Sequence, residues 1–341
     1  LLSVVAGIIW VVIVTLIFRN NTIYPLFDPP ISGALTFLFI IAYRFSITDK
    51  DKRRLRKSFS LYLAPAIIDQ MLRRGEEPKL GGETREVSVL MSDIANFTEF
   101  SERISPEELV SGLNRYFSEM TTIIESHGGM VDKYIGDSIV AVFGAPLDNS
   151  EHARSAVEAG LACQRQLSSM PAVFPSLSNT FLSARIGINS GNVLVGNIGS
   201  KTRFNYTVMG DTVNVAARLE GINKYTGTSI LLSEIVAKAC EKYVACRRID
   251  LVRVAGRNAP IWIYEPVCLM QDRDSQVEDN IERFTEGLNL YYSKKFESAK
   301  YIFESLSTID PVAQNLVVRA AEMIKTPPAE DWTGVRQFTE K

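Results

Sequence analysis

The chain has 341 residues, 46% of them hydrophobic, and a formal net charge of -2 at pH 7. This length allows a full hydrophobic core and more than one domain, and the near-neutral charge balance argues against a nucleic-acid-binding protein. The four cysteines are scattered with no CxxC pair, and the two histidines lie in different contexts. A disulfide framework, a zinc site and a His-based triad are therefore disfavoured. Any chemistry must use carboxylates, Lys, Arg, Asn and the backbone.

Two apolar stretches open the chain. Residues 1–18 contain no charged residue, and a second apolar run covers 31–43. The first is at the lower end of the length of a transmembrane helix, and a cleaved signal peptide is its weaker alternative. Seven Lys or Arg residues follow the second run, so the positive-inside rule places everything after Arg44 in the cytoplasm. We predict transmembrane helices within 1–45, continuing a longer membrane region upstream, and a catalytic part on the cytoplasmic side of the cell membrane.

Residues 46–84 are predicted to form a cytoplasmic helical linker. Its apolar side chains follow near-helical spacing, which Pro65 interrupts, so two short amphipathic helices are expected. These side chains are Leu55, Phe59, Leu63, Ile67 and Met71. The apolar stripe either packs on its own domain or pairs with a second chain, and the Gly-rich stretch 75–83 ends the linker.

Strands and helices alternate from residue 85 to residue 268. Ser105 and Glu108 form a capping box at the start of the first helix, and Gly136-Asp137 marks a hairpin turn. The predicted elements are a strand at 86–93, a helix at 105–127, a two-stranded hairpin at 130–144, a helix at 150–168, strands at 182–188, 191–198 and 203–209, a helix at 211–224, and strands near 228–232, 244–254 and 261–267.

The order β-α-β-β-α-β predicts an α+β fold, a ferredoxin-like core with appended strands. In that topology the third strand lies antiparallel between the first two. The turn between the second and third strands therefore lies beside the end of the first strand. Asp93, which ends the first strand, and Asp137, in the turn, should face each other.

Residues 275–341 differ in character from the domain before them. Small and aromatic residues recur at the offsets of a tetratricopeptide unit, a helix pair whose helices cross closely. They are Gly287, Ala299, Phe303 and Pro311. Because one helix pair cannot bury its own apolar face, this TPR-like helical tail is expected to pack on the catalytic domain or on a partner.

Two facing carboxylates at strand ends indicate a metal site. A carboxylate that ends an apolar strand is costly unless it is solvated, paired or bound to a metal, and two of them repel unless a cation lies between them. Mg²⁺ prefers one or two carboxylates together with phosphate oxygens. The helix expected after Asp93, near Phe97 and Thr98, would offer free N–H groups to phosphate. In the alternative interpretation Asp137 only makes the turn and Asp93 caps that helix.

Three further polar residues suit a nucleotide site. Lys133 precedes Asp137 by four residues and shares its strand face by period-two alternation. Asn214 and Arg218 are one helical turn apart and project from one face of their helix. Each also has an ordinary explanation, since strand lysines are commonly exposed and such a pair is frequent on surface helices.

Four motifs carry these residues. They are VLMSDIANFT (89–98), KYIGDSIVAVFG (133–144), ARIGINSGNVLVGNIG (184–199) and YTVMGDTVNVAARLE (206–220). In this order and spacing they resemble the class III nucleotidyl cyclases, over about Arg85 to Val267. The resemblance implies the ferredoxin-like core, two Mg²⁺ or Mn²⁺ ions per active site, and a head-to-tail homodimer with composite sites. The segment 53–94 is also similar to the membrane-to-cyclase connection of bacterial cyclases whose extracellular sensor is of the second CHASE type.

The resemblance implies a role for each matching residue. Asp93 and Asp137 correspond to the metal-binding aspartates, with the Ile94 carbonyl as a further ligand. Asn214 corresponds to the asparagine that orients the ribose, and Arg218 to the arginine that stabilises the pentacovalent phosphorus. The other substrate-binding positions are Phe97, Thr98, Lys133, Arg185, Thr207 and Arg257.

Two of these positions concern the phosphates. Arg185 matches an arginine near them. The segment 254–260 matches a phosphate-binding loop that usually contains a lysine, whose place Ala255 takes here. Arg257 is the expected substitute for that lysine.

Lys133 and Thr207 favour ATP as the substrate. Adenine offers an acceptor at N1 and a donor at its 6-amino group, whereas guanine offers a donor at N1 and an acceptor at O6. Lys133 can only donate, so it suits N1 of adenine; the Thr207 hydroxyl can accept from the amino group but can equally donate. The Thr form resembles the cyanobacterial and soluble-type subclass, in which bicarbonate stimulation is common. We predict a homodimeric adenylate cyclase that converts ATP to cyclic AMP and pyrophosphate.

Two alternatives stand beside this prediction. A catalytically silent cyclase-like module would have lost an aspartate, Asn214 or Arg218, and none is lost. A diguanylate cyclase would need a Gly-Gly-Asp/Glu-Glu-Phe hairpin. The sequence GGETRE (81–86) resembles it only superficially, because it precedes the first core strand.

Overall fold

The computed structural model describes residues 10–16, 33–43, 80–170, 173–174, 182–254 and 259–338. The chain divides into two units, Leu1–Arg73 and Arg74–Lys341. In the first unit, the described residues 10–16 and 33–43 are helical. No helix within the described ranges has both the length and the apolar character needed to cross a membrane. Much of the region 1–45 predicted to contain the spans lies outside the described residues. The linker helices predicted around 55–71 lie outside the described residues.

The second unit is built on one sheet, with nine strands in the part of the chain that the structure describes. The strands are β1 (Gly81–Ile94), β2 (Gly129–Ile135), β3 (Ser138–Phe143), β4 (Ala184–Gly199), β5 (Phe204–Met209), β6 (Ile230–Ser233), β7 (Val244–Arg253), β8 (Ile261–Leu269) and β9 (Arg336–Gln337). Their order is β2-β3-β1-β4-β6-β8-β7-β9, and β5 pairs with β4. Because β3 is antiparallel to both β1 and β2, and β4 is antiparallel to β1, the predicted ferredoxin-like order of the first four strands is confirmed.

The helices predicted at 105–127, 150–168 and 211–224 are present, whereas the helix at Glu234–Cys240 was not predicted. The described α-helices are α1 (Phe97–Ser101), α2 (Pro106–Ser126), α3 (His152–Ser169), α4 (Asp211–Thr226), α5 (Glu234–Cys240), α6 (Ser275–Tyr292), α7 (Phe296–Leu306) and α8 (Pro311–Lys325). The Ser105 half of the predicted capping box of α2 forms, since the Ser105 side chain accepts a hydrogen bond from the Glu108 N–H at 3.2 Å. The two strands predicted at 182–188 and 191–198 are one strand, β4, because β1 pairs with it without a break from Ala184 to Asn197. β1 begins at Gly81, so the sequence GGETRE (81–86) lies within the first strand and not, as predicted, before it.

Helices cover both faces of the sheet. Ile230 and Leu232 belong to a buried cluster with α2 and α3, whereas Leu231 belongs to a second cluster with α4 and the C-terminal helices. Alternate residues of a strand point to opposite faces, so the two clusters lie on opposite sides. Gly187 allows α4 to lie directly on β4, since a Cβ at that position would be 2.2 Å from the Ala216 carbonyl oxygen.

The C-terminal helices pack on the domain before them, as one of the two predicted arrangements requires. Phe284 and Leu288 of α6 are buried with Leu219 of α4 and Val252 of β7. The tail contains a third helix, α8, and a short strand, β9, which joins the sheet beside β7. The assignment of the first helix pair to the tetratricopeptide family stays a prediction.

A buried charge network fastens the tail to the sheet. Asp250 of β7 is 1% exposed. It accepts hydrogen bonds from Arg319 Nη1 of α8 at 2.7 Å and from the Tyr292 hydroxyl of α6 at 2.6 Å. Removal of one partner from such a pair leaves an uncompensated buried charge.

The Arg319→Met substitution is therefore expected to lower the free energy of unfolding by about 3 kcal/mol, measured by urea denaturation. The matched control is Arg283→Met on α6, whose side chain is 43% exposed and which should change stability by less than about 0.5 kcal/mol. Equal effects of the two substitutions would contradict the role of this network.

Candidate active site

The two predicted metal-binding aspartates lie beside each other at one end of the sheet. β1 ends at Ile94, directly after Asp93, and Asp137 follows Gly136, whose φ of 64° favours glycine in this turn. Because β3 pairs with β1, the turn meets the end of β1. The Ile94 N–H donates to Asp137 Oδ2 at 3.1 Å, and the Ser138 hydroxyl donates to Asp93 Oδ1 at 2.7 Å. The predicted juxtaposition is confirmed.

Asp93 disfavours the ionised form of Asp137. Partial burial, and then the charge of Asp93, raise the pKa of Asp137 from 3.8 to about 6. A divalent cation between the carboxylates would remove this repulsion. Within the described ranges no cluster of three or more His, Cys, Asp or Glu side chains suited to a metal occurs. Two carboxylates open to phosphate oxygens are the ligand set that Mg²⁺ prefers, so the residues present fit the predicted ion.

Arg185 and Glu220 extend this cluster. Arg185 lies opposite Asp93 in the pairing of β1 with β4, and its Nε is 3.8 Å from Glu220 Oε1 on α4. Burial, and then the charge of Asp93, raise the pKa of Glu220 from 4.5 to about 7, while the charge of Arg185 lowers it. The sequence patterns alone did not single out Glu220, although it ends the motif 206–220.

The metal-free protein is expected to lose stability through Glu220 as the pH rises from about 4.5 to about 7.5. The folded-state pKa of about 7 exceeds the unfolded value of 4.5, so the folded state binds this proton more tightly. Its contribution is largest below the unfolded pKa and is lost as the pH rises through the folded pKa. In urea unfolding with EDTA, the free energy of unfolding of Glu220→Gln should rise by about 2–3 kcal/mol relative to that of wild type across this pH window.

The control for this pH dependence is Glu286→Gln. Glu286 is exposed on α6, outside the acidic cluster, so its stability difference from wild type should not change with pH. If the stability difference between Glu220→Gln and wild type also stays constant with pH, Glu220 is not in the buried acidic environment described.

Asn214 and Arg218 line a cavity of about 770 Å³ together with Asp93 and Arg185. α4 begins at Asp211, so Asn214 lies in its first turn and Arg218 follows one turn later on the same face. Arg218 Nη1 and Arg185 Nε have no hydrogen-bond partner among the described residues. Guanidinium groups with free donors suit the oxygens of a phosphate chain. The neighbouring carboxylate pair suits the divalent cation that binds to such a chain.

Lys133 and Thr207 form a separate cluster with a third residue. Lys133 Nζ donates to Thr207 Oγ1 at 2.9 Å, and the Thr207 hydroxyl donates to Asp132 Oδ2 at 2.7 Å. The Asp132 side chain is 2% exposed, and its Oδ2 is 3.3 Å from Lys133 Nζ. Burial raises the pKa of Asp132, whereas the hydrogen bond from Thr207 and the charge of Lys133 lower it.

A β-bulge explains why Asp132 was missed. Strict alternation would place Asp132 and Lys133 on opposite faces of β2. The pairing of β2 with β3 shifts register between Val131 and Lys133, and a bulge re-aims the side chains around the extra residue. Both side chains therefore reach Thr207. The only sequence signal is the carboxylate directly before the lysine.

The other predicted site residues stay predictions. Phe97 begins α1 and packs beside the core against Phe100, with ring centroids 5.2 Å apart. Thr98 is exposed on the same helix. The role of the Ile94 carbonyl as a metal ligand rests on the resemblance, and Arg257 lies outside the described residues.

These groups define a class of site. A carboxylate pair suits a divalent cation, free arginine donors suit phosphates, and a lysine beside a threonine suits the edge of a base. Together they describe a metal-dependent enzyme that acts on a nucleotide. The chain belongs to the family described as the adenylate and guanylate cyclase catalytic domain, whose family model matches residues 82–264.

Two curated relatives are named adenylate cyclases. Adenylate cyclase 1 of Rhizobium meliloti (strain 1021) is 35% identical over 210 residues, which cover 62% of this chain and 32% of that protein. An adenylate cyclase of Anabaena cylindrica is 36% identical over 214 residues, which cover 61% of this chain and 42% of that protein. The chain thus spans less than half the length of these relatives.

Solved cyclase structures share the fold. The adenylyl cyclase CyaB from P. aeruginosa is 33% identical with a TM-score of 0.52, covering 57% of this chain and 100% of that chain. The guanylyl cyclase Cya2 is 35% identical with a TM-score of 0.51, covering 57% of this chain and 98% of that chain. Since an adenylyl and a guanylyl cyclase are about equally similar, overall similarity does not decide between ATP and GTP.

Proposed function

We propose that the chain is the catalytic part of an adenylate cyclase, which converts ATP to 3′,5′-cyclic AMP and pyrophosphate. The observation that carries the choice of ATP is the hydrogen-bonded cluster of Lys133, Thr207 and Asp132. The relatives named adenylate cyclases support the same activity.

The hydrogen bonds of this cluster leave one donor and one acceptor. The Thr207 hydroxyl has one hydrogen and two lone pairs. Its hydrogen goes to Asp132 and one lone pair accepts from Lys133, so one acceptor remains. Lys133 has three donors; one goes to Thr207 and one faces Asp132 at 3.3 Å, so one donor remains.

A donor beside an acceptor matches adenine. Lys133 donates to N1, and Thr207 accepts from the 6-amino group. Guanine offers a donor at N1 and an acceptor at O6, so it would place a donor against the lysine. Asp132 thus removes the ambiguity of the threonine hydroxyl by binding its hydrogen.

The remaining residues serve the reaction at the ribose and the phosphates. Asp93 and Asp137 would hold the divalent cations, which when bound lower the pKa of the ribose 3′-hydroxyl and screen the phosphate charge. Asn214 orients the ribose so that the 3′-oxygen faces the α-phosphorus, opposite the bond to pyrophosphate. Arg218 offers its free Nη1 donor to the negative charge that develops on the phosphoryl oxygens.

The proposed active form is a head-to-tail homodimer. Asp93 and Asp137 would come from one protomer, and the residues that bind the base, the ribose and the α-phosphate from its partner. The family resemblance supports this, and so do the apolar neighbours of Lys133 and Thr207. Tyr134, Ile135 and Met209 are 46%, 56% and 54% exposed in the single chain, and exposed apolar side chains of this kind suit a protein interface.

The cellular context is proposed from the sequence alone. Anchoring in the cell membrane through residues 1–45, with the catalytic domain in the cytoplasm, rests on the two apolar stretches and the seven cationic residues after them. A sensor of the second CHASE type and stimulation by bicarbonate rest on the family resemblance.

The test of the proposed function is an assay of the full chain with ATP and GTP in parallel. We expect Mg²⁺- or Mn²⁺-dependent formation of cyclic AMP and much slower formation of cyclic GMP. Thr207→Val keeps the side-chain shape but removes the hydroxyl, so kcat/KM for ATP should fall about 10- to 100-fold. Thr207→Ser, which retains the hydroxyl, is the matched control.

Three outcomes would contradict this proposal. Formation of neither cyclic nucleotide would overturn the activity. Equal rates with GTP would overturn the choice of base. If the ratio of kcat/KM for ATP to that for GTP is equal in Thr207→Val and Thr207→Ser, Thr207 does not contact the base.

A further inference from the structure

The C-terminal segment lines the same cavity as the catalytic residues. Besides Asn214 and Arg218, which the proposed dimer takes from the same protomer, the lining includes Tyr225, Arg336 and Phe338. The family match ends at residue 264, so Arg336 lies beyond it. The positively charged side chain of Arg336, from outside the family domain, therefore lines the proposed substrate cavity.

The helix α4 gives this cavity a direction. Asn214 lies in the first turn of α4 and Tyr225 in the last, about 16 Å apart along the helix axis. With the ribose at Asn214 and the α-phosphate at Arg218, a phosphate chain that continues along α4 approaches Tyr225. Arg336 Nη1 is 3.4 Å from the Tyr225 carbonyl oxygen, so Arg336 lies at that end.

The strand β9 holds Arg336 in this position. It pairs parallel with β7, with Val252 opposite Arg336. Phe338 packs on Tyr225 with ring centroids 5.3 Å apart. Trp332, just before β9, packs on the Phe296 ring of α7 at 5.6 Å. The C-terminal helices thus anchor the segment that carries Arg336.

The charge of Arg336 is only weakly compensated by the described residues around it. The nearest carboxylate is Asp250, whose Oδ2 is 4.0 Å away. Asp250 already binds Arg319 at 2.7 Å and Tyr292 at 2.6 Å, so two arginines share one carboxylate. The remaining neighbours of the guanidinium are the Tyr225 carbonyl and the rings of Tyr225 and Phe338.

Burial and the charge of Arg319 lower the pKa of Arg336, while Asp250 raises it. The positive charge is thus held where its surroundings disfavour it. An anion in the cavity would compensate this charge and accept hydrogen bonds from the guanidinium, as phosphates do with arginine.

We propose that Arg336 binds the terminal phosphates of the nucleoside triphosphate, so that the C-terminal helical segment forms part of the substrate site. This inference rests on the proposed function for the identity of the substrate. The cavity, the position of Arg336 along α4 and its weakly compensated charge support it.

The experiment measures binding of inorganic tripolyphosphate to the full chain by calorimetry with Mg²⁺ present, and the KM for ATP. Arg336→Gln should weaken tripolyphosphate binding roughly 10- to 100-fold and raise the KM for ATP by a similar factor, with a smaller change in kcat. Arg336→Lys should restore part of both. Inhibition by adenosine, which has no phosphates, should not change.

The matched control is Arg283→Gln, which removes the same charge from α6 and should leave every value at the wild-type level. Unchanged tripolyphosphate binding in Arg336→Gln overturns the inference. So does an equal weakening of tripolyphosphate and adenosine when the melting temperature is unchanged, because a phosphate contact affects only the first.

If Arg336→Gln lowers the melting temperature, variants of Gln337 test the inference instead. Gln337 is the exposed neighbour of Arg336 and also lines the cavity. Gln337→Lys should strengthen and Gln337→Glu weaken tripolyphosphate binding, and identical affinities overturn the inference. Because tripolyphosphate binding needs no turnover, a chain that binds it through Arg336 but forms no cyclic AMP would contradict the proposed function alone.

Discussion

The Asp93→Asn chain is expected to lose cyclic AMP formation by at least about 10³-fold. Asparagine keeps the size of the side chain and its contact with Ser138, whose hydroxyl donates to Asp93 Oδ1, but removes the charge that a divalent cation needs. Burial and then the charge of Asp93 raise the pKa of Asp137, and the substitution removes the second of these causes. The variant should therefore fold at least as well as wild type in EDTA while losing its dependence on Mn²⁺ or Mg²⁺.

The control for this loss is Asp148→Asn. The Asp148 side chain is 93% exposed and pairs with Arg85 at 2.9 Å, away from the aspartate pair, so activity should stay near wild type. If Asp93→Asn keeps more than about a tenth of the activity with an unchanged metal dependence, Asp93 is not a metal ligand for this reaction.

Mixing inactive Asp93→Asn and inactive Arg218→Ala chains is expected to restore activity to about one quarter of wild type. Random pairing makes about half of the dimers mixed, and in a symmetric head-to-tail dimer each mixed dimer has one intact site of two. The measurement is the rate of cyclic AMP formation against mixing ratio, which should be highest at equal amounts.

The complementation decides between two arrangements of the site. Asp93 and Arg218 line one cavity within a single chain, which would also allow a site made by one protomer. In that arrangement the mixed dimers contain no intact site, and activity stays at the level of the single variants. Absence of recovery in dimers shown to be mixed would therefore place both residues of each site on the same protomer.

Local sequence signals predicted the central fold and the aspartate pair. Period-two alternation and the Gly136-Asp137 turn placed Asp137 on a hairpin, and the order of elements placed β3 beside β1. These features depend on neighbouring residues and on a topology with few alternatives, so they can be read without the structure. The same holds for the Ser105 cap of α2 and for the shared helix face of Asn214 and Arg218.

The predictions failed where one residue changes a regular pattern or where distant segments meet. A bulge in β2 brings Asp132 to Thr207, against the alternation rule. β4 runs as one strand because β1 pairs with it without a break from Ala184 to Asn197. Glu220 enters the acidic cluster because Gly187 allows α4 to lie directly on the sheet. Each depends on a contact with a residue far away in the chain.

The sequence by itself determined the family, through four motifs in a fixed order, and the ferredoxin-like core. It also placed the two aspartates beside each other and Asn214 and Arg218 on one helix face, because helices and strands repeat with fixed periods. Only the tertiary structure decided the hydrogen-bond direction at Thr207, through the buried Asp132, and the reach of the C-terminal tail to the cavity, through β9 on β7. Both depend on burial and on charges from separate segments, which local periodicity does not encode.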